Sequence, residues 1–222
     1  MSSQAAEPWL SLANVVRRYG KRDVVAVNDL ALGPGDAVEI IGANGSGKST
    51  LLRLLAGYGR PSSGKIDFAR ALKRGRIGYL PQSGGLYPNL TVLQNIEVIA
   101  RLLGRTVGFD DRSVRPVYEL GVAPFMNTTA SNLSGGYQRL AAIAAVVAAE
   151  PDAIMLDEPL SSLDLTAQQR VLSLISSRAQ PNRLIAFTAH TPSGASWLTA
   201  TIEVVAGQGV TVSRRAAAQG AP

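Results

Sequence analysis

Cysteine is absent from the 222-residue sequence, and histidine occurs once, as His190. Without cysteine the chain can form neither a disulfide bond nor a thiolate metal site, and one histidine cannot build a histidine-rich metal centre. Aromatic residues are also scarce, at 5%, and they do not alternate with basic residues as a base-stacking nucleic-acid surface requires. We therefore expect no zinc or thiol chemistry and no nucleic-acid partner.

The sequence also lacks a long apolar run. A helix that crosses a bilayer needs about 20 mostly apolar residues, and the densest run, residues 140–149, falls well short of that. Two longer uncharged stretches, 77–96 and 184–202, are interrupted by Pro, Gly, Asn, Gln or His. The first ten residues have neither the basic start nor the apolar stretch of a secretory signal. We expect a chain that does not span a membrane.

Basic residues outnumber acidic ones by 22 to 16, which gives a formal charge of +6. Such an excess fits a nucleic acid, an anionic membrane surface or a bound polyphosphate. Apart from residues 17–22 and 70–76 the basic residues are scattered, as they are on a solvated surface. Charge alone therefore does not select a partner.

Strand-like and helix-like segments alternate along most of the chain, and 46% of the residues are apolar. This alternation predicts an α/β fold, with a mostly parallel sheet covered by helices. The predicted strands span residues 9–19, 24–32, 37–41, 77–80, 153–156 and 184–187, and the predicted helices between them span 48–56 and 165–179.

The middle of the chain has a different pattern. Apolar residues recur at helical spacing over 92–103, 112–120 and 136–149, and Ser134 is placed to cap the last of these helices. We predict one domain over 1–222, in which an inserted helical subdomain, 83–149, divides an α/β core of 9–82 and 150–212. The small, polar residues 213–222 predict a flexible tail.

A glycine-rich loop carries the clearest chemical signal. Residues 42–50 read GANGSGKST and match the G-x-x-x-x-G-K-[ST] pattern between a predicted strand and a predicted helix. Glycines allow backbone N–H groups to converge on phosphate oxygens, and the helix N-terminus adds a favourable dipole. The predicted nucleotide-binding residues of the loop are Gly42, Asn44, Gly45, Ser46, Gly47, Lys48, Ser49 and Thr50.

Two carboxylates follow a buried strand, as Asp157 and Glu158. Adjacent acids at such a position are costly unless something neutralises them. Successive strand residues point to opposite faces, so we predict different tasks for the two. Asp157 would face Mg²⁺, through water, together with the Ser49 hydroxyl, and Glu158 would orient or deprotonate the attacking water.

Residues 133–139, LSGGYQR, resemble the LSGGQ signature of ATP-binding-cassette (ABC) proteins. The resemblance covers about residues 9–209, with each expected motif once and in order. It implies that Tyr19 stacks on adenine, that Gln82 senses Mg²⁺ and contacts the transport partner, and that His190 contacts the γ-phosphate. It also implies that Asp164 lies in the D-loop and that the signature residues Ser134, Gly135 and Gly136 contact nucleotide.

The sequence departs from the family pattern at two positions. Tyr137 stands where the signature most often has glutamine, and Ala189 stands before the histidine where a second hydroxyl residue is common. Neither change removes a group that performs chemistry. Taken singly, Tyr19 could be an ordinary strand aromatic, Gln82 a loop amide and His190 a capping residue. Residues 134–136 could likewise be a plain helix entry.

The resemblance implies a P-loop NTPase core of the ABC type, with an antiparallel β subdomain, that binds ATP and Mg²⁺ and hydrolyses ATP. The implied catalytic residues are Glu158, His190, Lys48 and Gln82, and the implied metal-site residues are Ser49, Gln82 and Asp157. The implied partners are a second ABC ATPase subunit, with ATP sandwiched between the two, and a separate transmembrane permease. The chain would then be peripheral on the cytoplasmic face of the cell membrane.

The direction of transport and the partner leave alternatives open. Residues 80–92 resemble exporter cassettes of the drug-efflux kind, and an importer cassette is the second choice. A soluble cassette that remodels a non-membrane partner, as in iron–sulfur assembly, would also be a bare cassette. A module that binds ATP without cleaving it would not need Glu158 and His190.

Overall fold

The computed structural model describes residues 7–72, 76–105 and 111–215. Its strands are β1 Leu10–Tyr19, β2 Arg22–Leu32, β3 Ala37–Ile41, β4 Ser63–Phe68, β5 Ile77–Leu80, β6 Ala153–Leu156, β7 Leu184–Thr188, β8 Ala200–Val205 and β9 Gly209–Arg214. Its α-helices are α1 Lys48–Leu55, α2 Val92–Leu102, α3 Asp111–Glu119, α4 Gly135–Ala148 and α5 Leu165–Arg178. Three short 3-10 helices span Arg70–Leu72, Ala123–Phe125 and Ala130–Asn132.

The main sheet has six strands in the order β5-β6-β7-β3-β8-β9. All of its pairings are parallel except that of β9 with β8. Every residue of β6 and β7 is buried, as expected of parallel strands covered on both faces. The predicted parallel sheet is confirmed, and the carboxyl ends of β3, β5, β6 and β7 meet at one edge.

A second, antiparallel sheet has the order β2-β1-β4. Its buried apolar residues, with those of α1 and one face of β3, form one core cluster. This sheet is the antiparallel β subdomain that the family resemblance implies. Because this sheet shares its core with α1 and β3, the β1–β2 hairpin lies beside the loop that joins β3 to α1.

The central segment contains α2, α3 and α4, each within one residue of its predicted bounds. Thr91 and Gln94 form a capping box that starts α2. In α4 every residue from 139 to 148 is buried, because other elements surround this helix on all sides. Within the described residues, none of the helices is long and apolar enough to cross a membrane.

The carboxyl end of the chain differs from the prediction. The flexible tail was expected from residue 213, but Ser213 and Arg214 pair with β8 as the end of β9. Arg214 also donates from Nη1 to the Asp36 carboxylate at 3.0 Å. The remaining tail residues, 216–222, lie outside the described residues.

Candidate active site

The loop of residues 42–47 joins β3 to α1 and depends on glycine at both of its ends. Gly42 has φ 147°, and a Cβ there would come within 2.4 Å of the Val204 carbonyl oxygen. Gly47 has φ 113°, and its Cβ would lie 2.6 Å from the Val24 carbonyl oxygen. Because no other residue fits, the sequence folds here into a tight loop whose backbone N–H groups precede a helix N-terminus.

The side chain of Lys48 fills the centre of this loop. It is buried, and its Nζ donates to the carbonyl oxygens of Gly42 at 2.8 Å and Ala43 at 3.1 Å. The Ser46 hydroxyl is buried without a hydrogen-bond partner in the described parts of the chain. A buried cation and an unsatisfied donor in one loop fit an anionic ligand such as a phosphate group.

Asp157 lies directly beneath the loop and is fully buried. Its Oδ1 accepts hydrogen bonds from the Ser49 hydroxyl at 2.9 Å and the Thr188 hydroxyl at 2.8 Å. Its Oδ2 is buried and accepts no hydrogen bond from any described residue. A free carboxylate oxygen beside a serine hydroxyl is a donor set that suits Mg²⁺.

Glu158 is held in a different way from the one predicted. Strand β6 ends at Leu156, and Glu158 has φ 49°, so a turn separates the two carboxylates rather than strand alternation. The Glu158 N–H donates to the Thr188 hydroxyl at 2.7 Å. This left-handed conformation is uncommon outside glycine and occurs often at functional sites.

The Glu158 carboxylate contacts side chains that follow two neighbouring regions of the main sheet, Gln82 and His190. Its Oε2 accepts from Gln82 Nε2 at 3.0 Å and lies 3.5 Å from His190 Nε2. Gln82 follows β5, Glu158 follows β6 and His190 follows β7. The structure thus brings the predicted catalytic residues together from separate parts of the sequence.

One cavity connects these groups with the glycine-rich loop. Its lining residues are Val24, Asn44, Gly45, Gly47, Lys48, Ser49, Thr50, Gln82, Glu158 and His190. Asp157 lies beneath it, and Gly42 and Ser46 support the loop without lining the cavity. Val24 was not predicted, because a valine in a strand gives no chemical signal.

Tyr19 lies at the end of β1 and does not line this cavity. Its ring is half exposed, and the Arg17 guanidinium lies over one face at 4.6 Å from the ring centroid. The Arg17 Nη1 also donates to the Arg60 carbonyl oxygen at 2.9 Å. One ring face is therefore covered by an anchored cation.

The signature residues line a different surface from the phosphate cavity. Ser134 and Gly136 line a groove with Asp164 and Tyr137, and no residue lines both this groove and the phosphate cavity. Ser134 caps α4, and the Asp164 carboxylate caps α5 by accepting from the Ala167 N–H at 2.8 Å. Within one chain these residues therefore do not complete the phosphate site.

Arg139 links the signature helix to the carboxyl ends of β5 and β6 and was not singled out from the sequence. Its Nη1 donates to the Pro81 carbonyl oxygen at 2.8 Å, and its Nη2 donates to the carbonyl oxygens of Asp157 and Glu158. Burial lowers the pKa of this guanidinium from its ordinary value. The one sequence signal that could have indicated Arg139 was its position two residues after Tyr137, the last residue of the signature.

Comparisons with known proteins identify the family of the chain. The ABC transporter family model matches residues 26–161. The cytochrome c biogenesis ATP-binding export protein CcmA of Cupriavidus necator is 34% identical over 73% of this chain and 74% of its own length. The aliphatic sulfonates import ATP-binding protein SsuB of Burkholderia pseudomallei is 39% identical over 77% of this chain and 51% of its own length.

Another relative is much longer than this chain. The macrolide export ATP-binding/permease protein MacB of Bartonella quintana is 32% identical over 86% of this chain, which spans 31% of that protein. Among solved structures, a dimeric bacterial ABC transporter cassette superposes with a TM-score of 0.81 at 24% identity, over 93% of this chain and 99% of its own. The chain therefore belongs to the ABC transporter family, as one of its ATPase cassettes.

Proposed function

We propose that this chain hydrolyses Mg-ATP as one of two paired cassettes and thereby drives export through a membrane permease, on the cytoplasmic face of the membrane. The observation that carries the proposal is that Lys48 and Glu158 line one cavity and that Asp157 lies beneath it. Family membership supports ATP as the nucleotide. The role of each site residue follows from its contacts.

The glycine-rich loop and the start of α1 would bind the phosphate groups. With ATP bound, the Lys48 ammonium would exchange its two loop carbonyls for β- and γ-phosphate oxygens. Ser49 and the free Oδ2 of Asp157 would hold Mg²⁺, with Gln82 beside it. When bound, Mg²⁺ neutralises charge that develops on the transferred phosphoryl group.

Glu158 would act in the hydrolysis step itself. Its carboxylate is poised to accept a proton from water that attacks the γ-phosphate. Gln82 and His190 restrict where this carboxylate can point, because each contacts the same oxygen, Oε2. Hydrolysis of this kind depends mainly on such positioning and on charge neutralisation.

A second cassette is proposed because the signature is exposed and separate from the phosphate cavity. Ser134 and Gly135 are exposed at the N-terminus of α4, where backbone N–H groups favour an anion. A two-fold pair would place this terminus of one chain against the γ-phosphate on the other. Two nucleotides would then form part of the interface.

A groove on another surface suits the permease. It is apolar and aromatic, and its lining residues include Tyr58, Tyr79, Leu86, Tyr87, Ile99, Leu102, Leu103 and Val146. Tyr58 is 69% and Leu102 67% exposed, and clustered exposed apolar residues mark protein interaction sites. Tyr79, in this groove, lies three residues before Gln82, which lines the phosphate cavity. The relatives include an export ATP-binding/permease protein, which supports a permease as the occupant of the groove.

Export is proposed over import from the resemblance of residues 80–92 to drug-efflux cassettes. Relatives named for export and for import both match the chain. Transport assays on the permease would separate the two directions.

The test is affinity isolation of the tagged Glu158→Gln protein from its native cells, with Mg-ATP and mild detergent. We expect a polytopic membrane protein at near-stoichiometric yield. Leu102→Asp, in the groove, should lose this protein, while Tyr118→Asp, at an exposed tyrosine of α3 outside the groove, should retain it. Recovery of soluble partners alone would refute the permease and favour a soluble remodelling cassette.

A further inference from the structure

The main sheet contains a buried carboxylate for which the proposed chemistry has no use. Glu39 lies in the middle of β3 and is 1% exposed. Its neighbours Val38 and Ile40 face the core shared with α1, so Glu39 faces the opposite side of the sheet. Burying a carboxylate is costly unless it is hydrogen-bonded, which indicates a specific role.

The chain that covers Glu39 is an unusual connection. Strands β7 and β8 pair with β3 from its two sides, and all three are parallel. The connection from β7 to β8 therefore has to cross over β3. Such crossovers are usually helical, but residues 189–199 contain no helix. An irregular crossover lacks the internal hydrogen bonds of a helix and needs other partners for its backbone.

Two consecutive residues of β3 supply these partners. The Ile40 carbonyl oxygen accepts from the Ala189 N–H at 2.9 Å. The Glu39 carboxylate accepts from the Ser193 N–H, at 2.9 Å for Oε1 and 3.1 Å for Oε2. His190 lies between these two attachment points, so the loop that carries it is fixed at both ends to the strand that leads into the phosphate loop.

We propose that Glu39 is a positioning residue that holds His190 against Glu158 through the Ser193 N–H. The inference rests on the proposed role of His190 in ATP hydrolysis. Without the Glu39 contact, the next hydrogen bonds from this connection to the rest of the fold after His190 would be those at Ala195 and Thr199, so His190 would lose its nearest support on that side. Its imidazole is half exposed and lies 3.5 Å from the Glu158 carboxylate, so little else restrains it.

The kinetic test compares two substitutions at this position. Glu39→Leu fills the space but removes the acceptor, whereas Glu39→Gln retains one acceptor oxygen for the Ser193 N–H. We expect Glu39→Leu to lower the kcat for ATP about tenfold with KM changed less than about twofold, because misplacing a positioned group costs turnover more than binding. Glu39→Gln should retain most of the kcat.

A second pair of variants changes the donor instead. Ser193→Pro removes the N–H from an exposed position, and Ser193→Ala keeps it. Ser193→Pro should reproduce the kinetic loss, and combining it with Glu39→Leu should add little, since both remove one interaction. Ser193→Ala should behave as wild type. Because Ser193 is exposed, this pair tests the contact even if Glu39→Leu folds poorly.

A direct readout comes from the imidazole, because His190 is the only histidine in the sequence. Its Cε1–H resonance in a ¹³C-correlated NMR spectrum should shift or broaden in Glu39→Leu and Ser193→Pro but not in Glu39→Gln. Val38→Ala, which opens a cavity on the other face of β3, controls for lost stability and should leave the resonance in place.

Different results would overturn the positioning role of Glu39 and the catalytic role of His190. An unchanged His190 resonance in both Glu39→Leu and Ser193→Pro would overturn the positioning role. An altered resonance with unchanged kcat, together with full activity in His190→Ala, would instead overturn the catalytic role proposed for His190.

Discussion

Glu158 has the contacts of a general base, because its carboxylate lies at the cavity and is restrained by Gln82 and His190. Glu158→Gln preserves the shape of the side chain but cannot accept a proton from water. We predict that it retains ATP binding and lowers turnover by about 10²-fold or more, as general-base roles are of that size. Steady-state phosphate release measures this, with Glu97→Gln on α2 as the control. Turnover near the wild-type rate would exclude Glu158 as the base.

Lys48 places a buried ammonium in a loop whose other donors are uncharged. Lys48→Ala removes the charge that we expect to meet the β- and γ-phosphates, so tight ATP binding should be lost. Titration with a fluorescent ATP analogue measures the affinity. Lys65→Ala, at an exposed lysine of β4, should bind as wild type. An unchanged affinity in Lys48→Ala would contradict our account of the loop.

Single residues differ in how far the sequence reveals them. Lys48 and Ser49 could be predicted because they belong to a contiguous phosphate-binding motif, residues 42–50. Thr188 could not, although its hydroxyl bonds to Asp157 and to the Glu158 N–H, because the contact joins positions about thirty residues apart. Asp164 was predicted as a D-loop residue, and the structure adds that its carboxylate caps α5.

At the scale of elements, Arg139 joins α4 to the carboxyl ends of β5 and β6. Arg139→Met would leave the carbonyl oxygens of Pro81, Asp157 and Glu158 without this donor, so we predict a loss of about 3 kcal/mol in the free energy of unfolding. Arg139→Lys should recover only part of it, because an ammonium cannot reproduce the planar fork. Urea unfolding measures both.

The control for this prediction is Arg101→Met, which removes an exposed guanidinium from α2 and should leave the unfolding free energy within about 0.5 kcal/mol of wild type. We also expect the ATPase activity of folded Arg139→Met to fall, since Gln82 and Glu158 lose their common support. A variant as stable and as active as wild type would show that Arg139 does not organise the site.

Elements with strong periodicity were predictable, and those without it were not. The three central helices lie within one residue of their predicted bounds because their apolar spacing, and in α2 and α4 also their N-caps, mark them. Strand β4, Ser63–Phe68, was missed because its sequence, SGKIDF, is short and mostly exposed. It is a strand because β1 offers it a partner edge, which local sequence does not show. Strand β9 was missed for the same reason, but exposure does not explain β8, in which three of six residues are buried.

At the scale of the whole molecule, the phosphate cavity and the signature groove are separate surfaces of one chain. The fold follows from the alternation of strands and helices, and could be predicted from the sequence. In the proposed pair these two surfaces would meet only through a second molecule, and neither composition nor periodicity encodes that arrangement. The order of the motifs carried that expectation only through the family resemblance.

The most direct test of paired cassettes is sedimentation velocity of the Glu158→Gln protein with and without Mg-ATP. We predict a monomer without nucleotide and a dimer with Mg-ATP, because bound ATP would join the loop of one chain to the signature of the other. Lys48→Ala should remain monomeric under both conditions. A Glu158→Gln protein that is saturated with ATP and still sediments as a monomer would contradict the account.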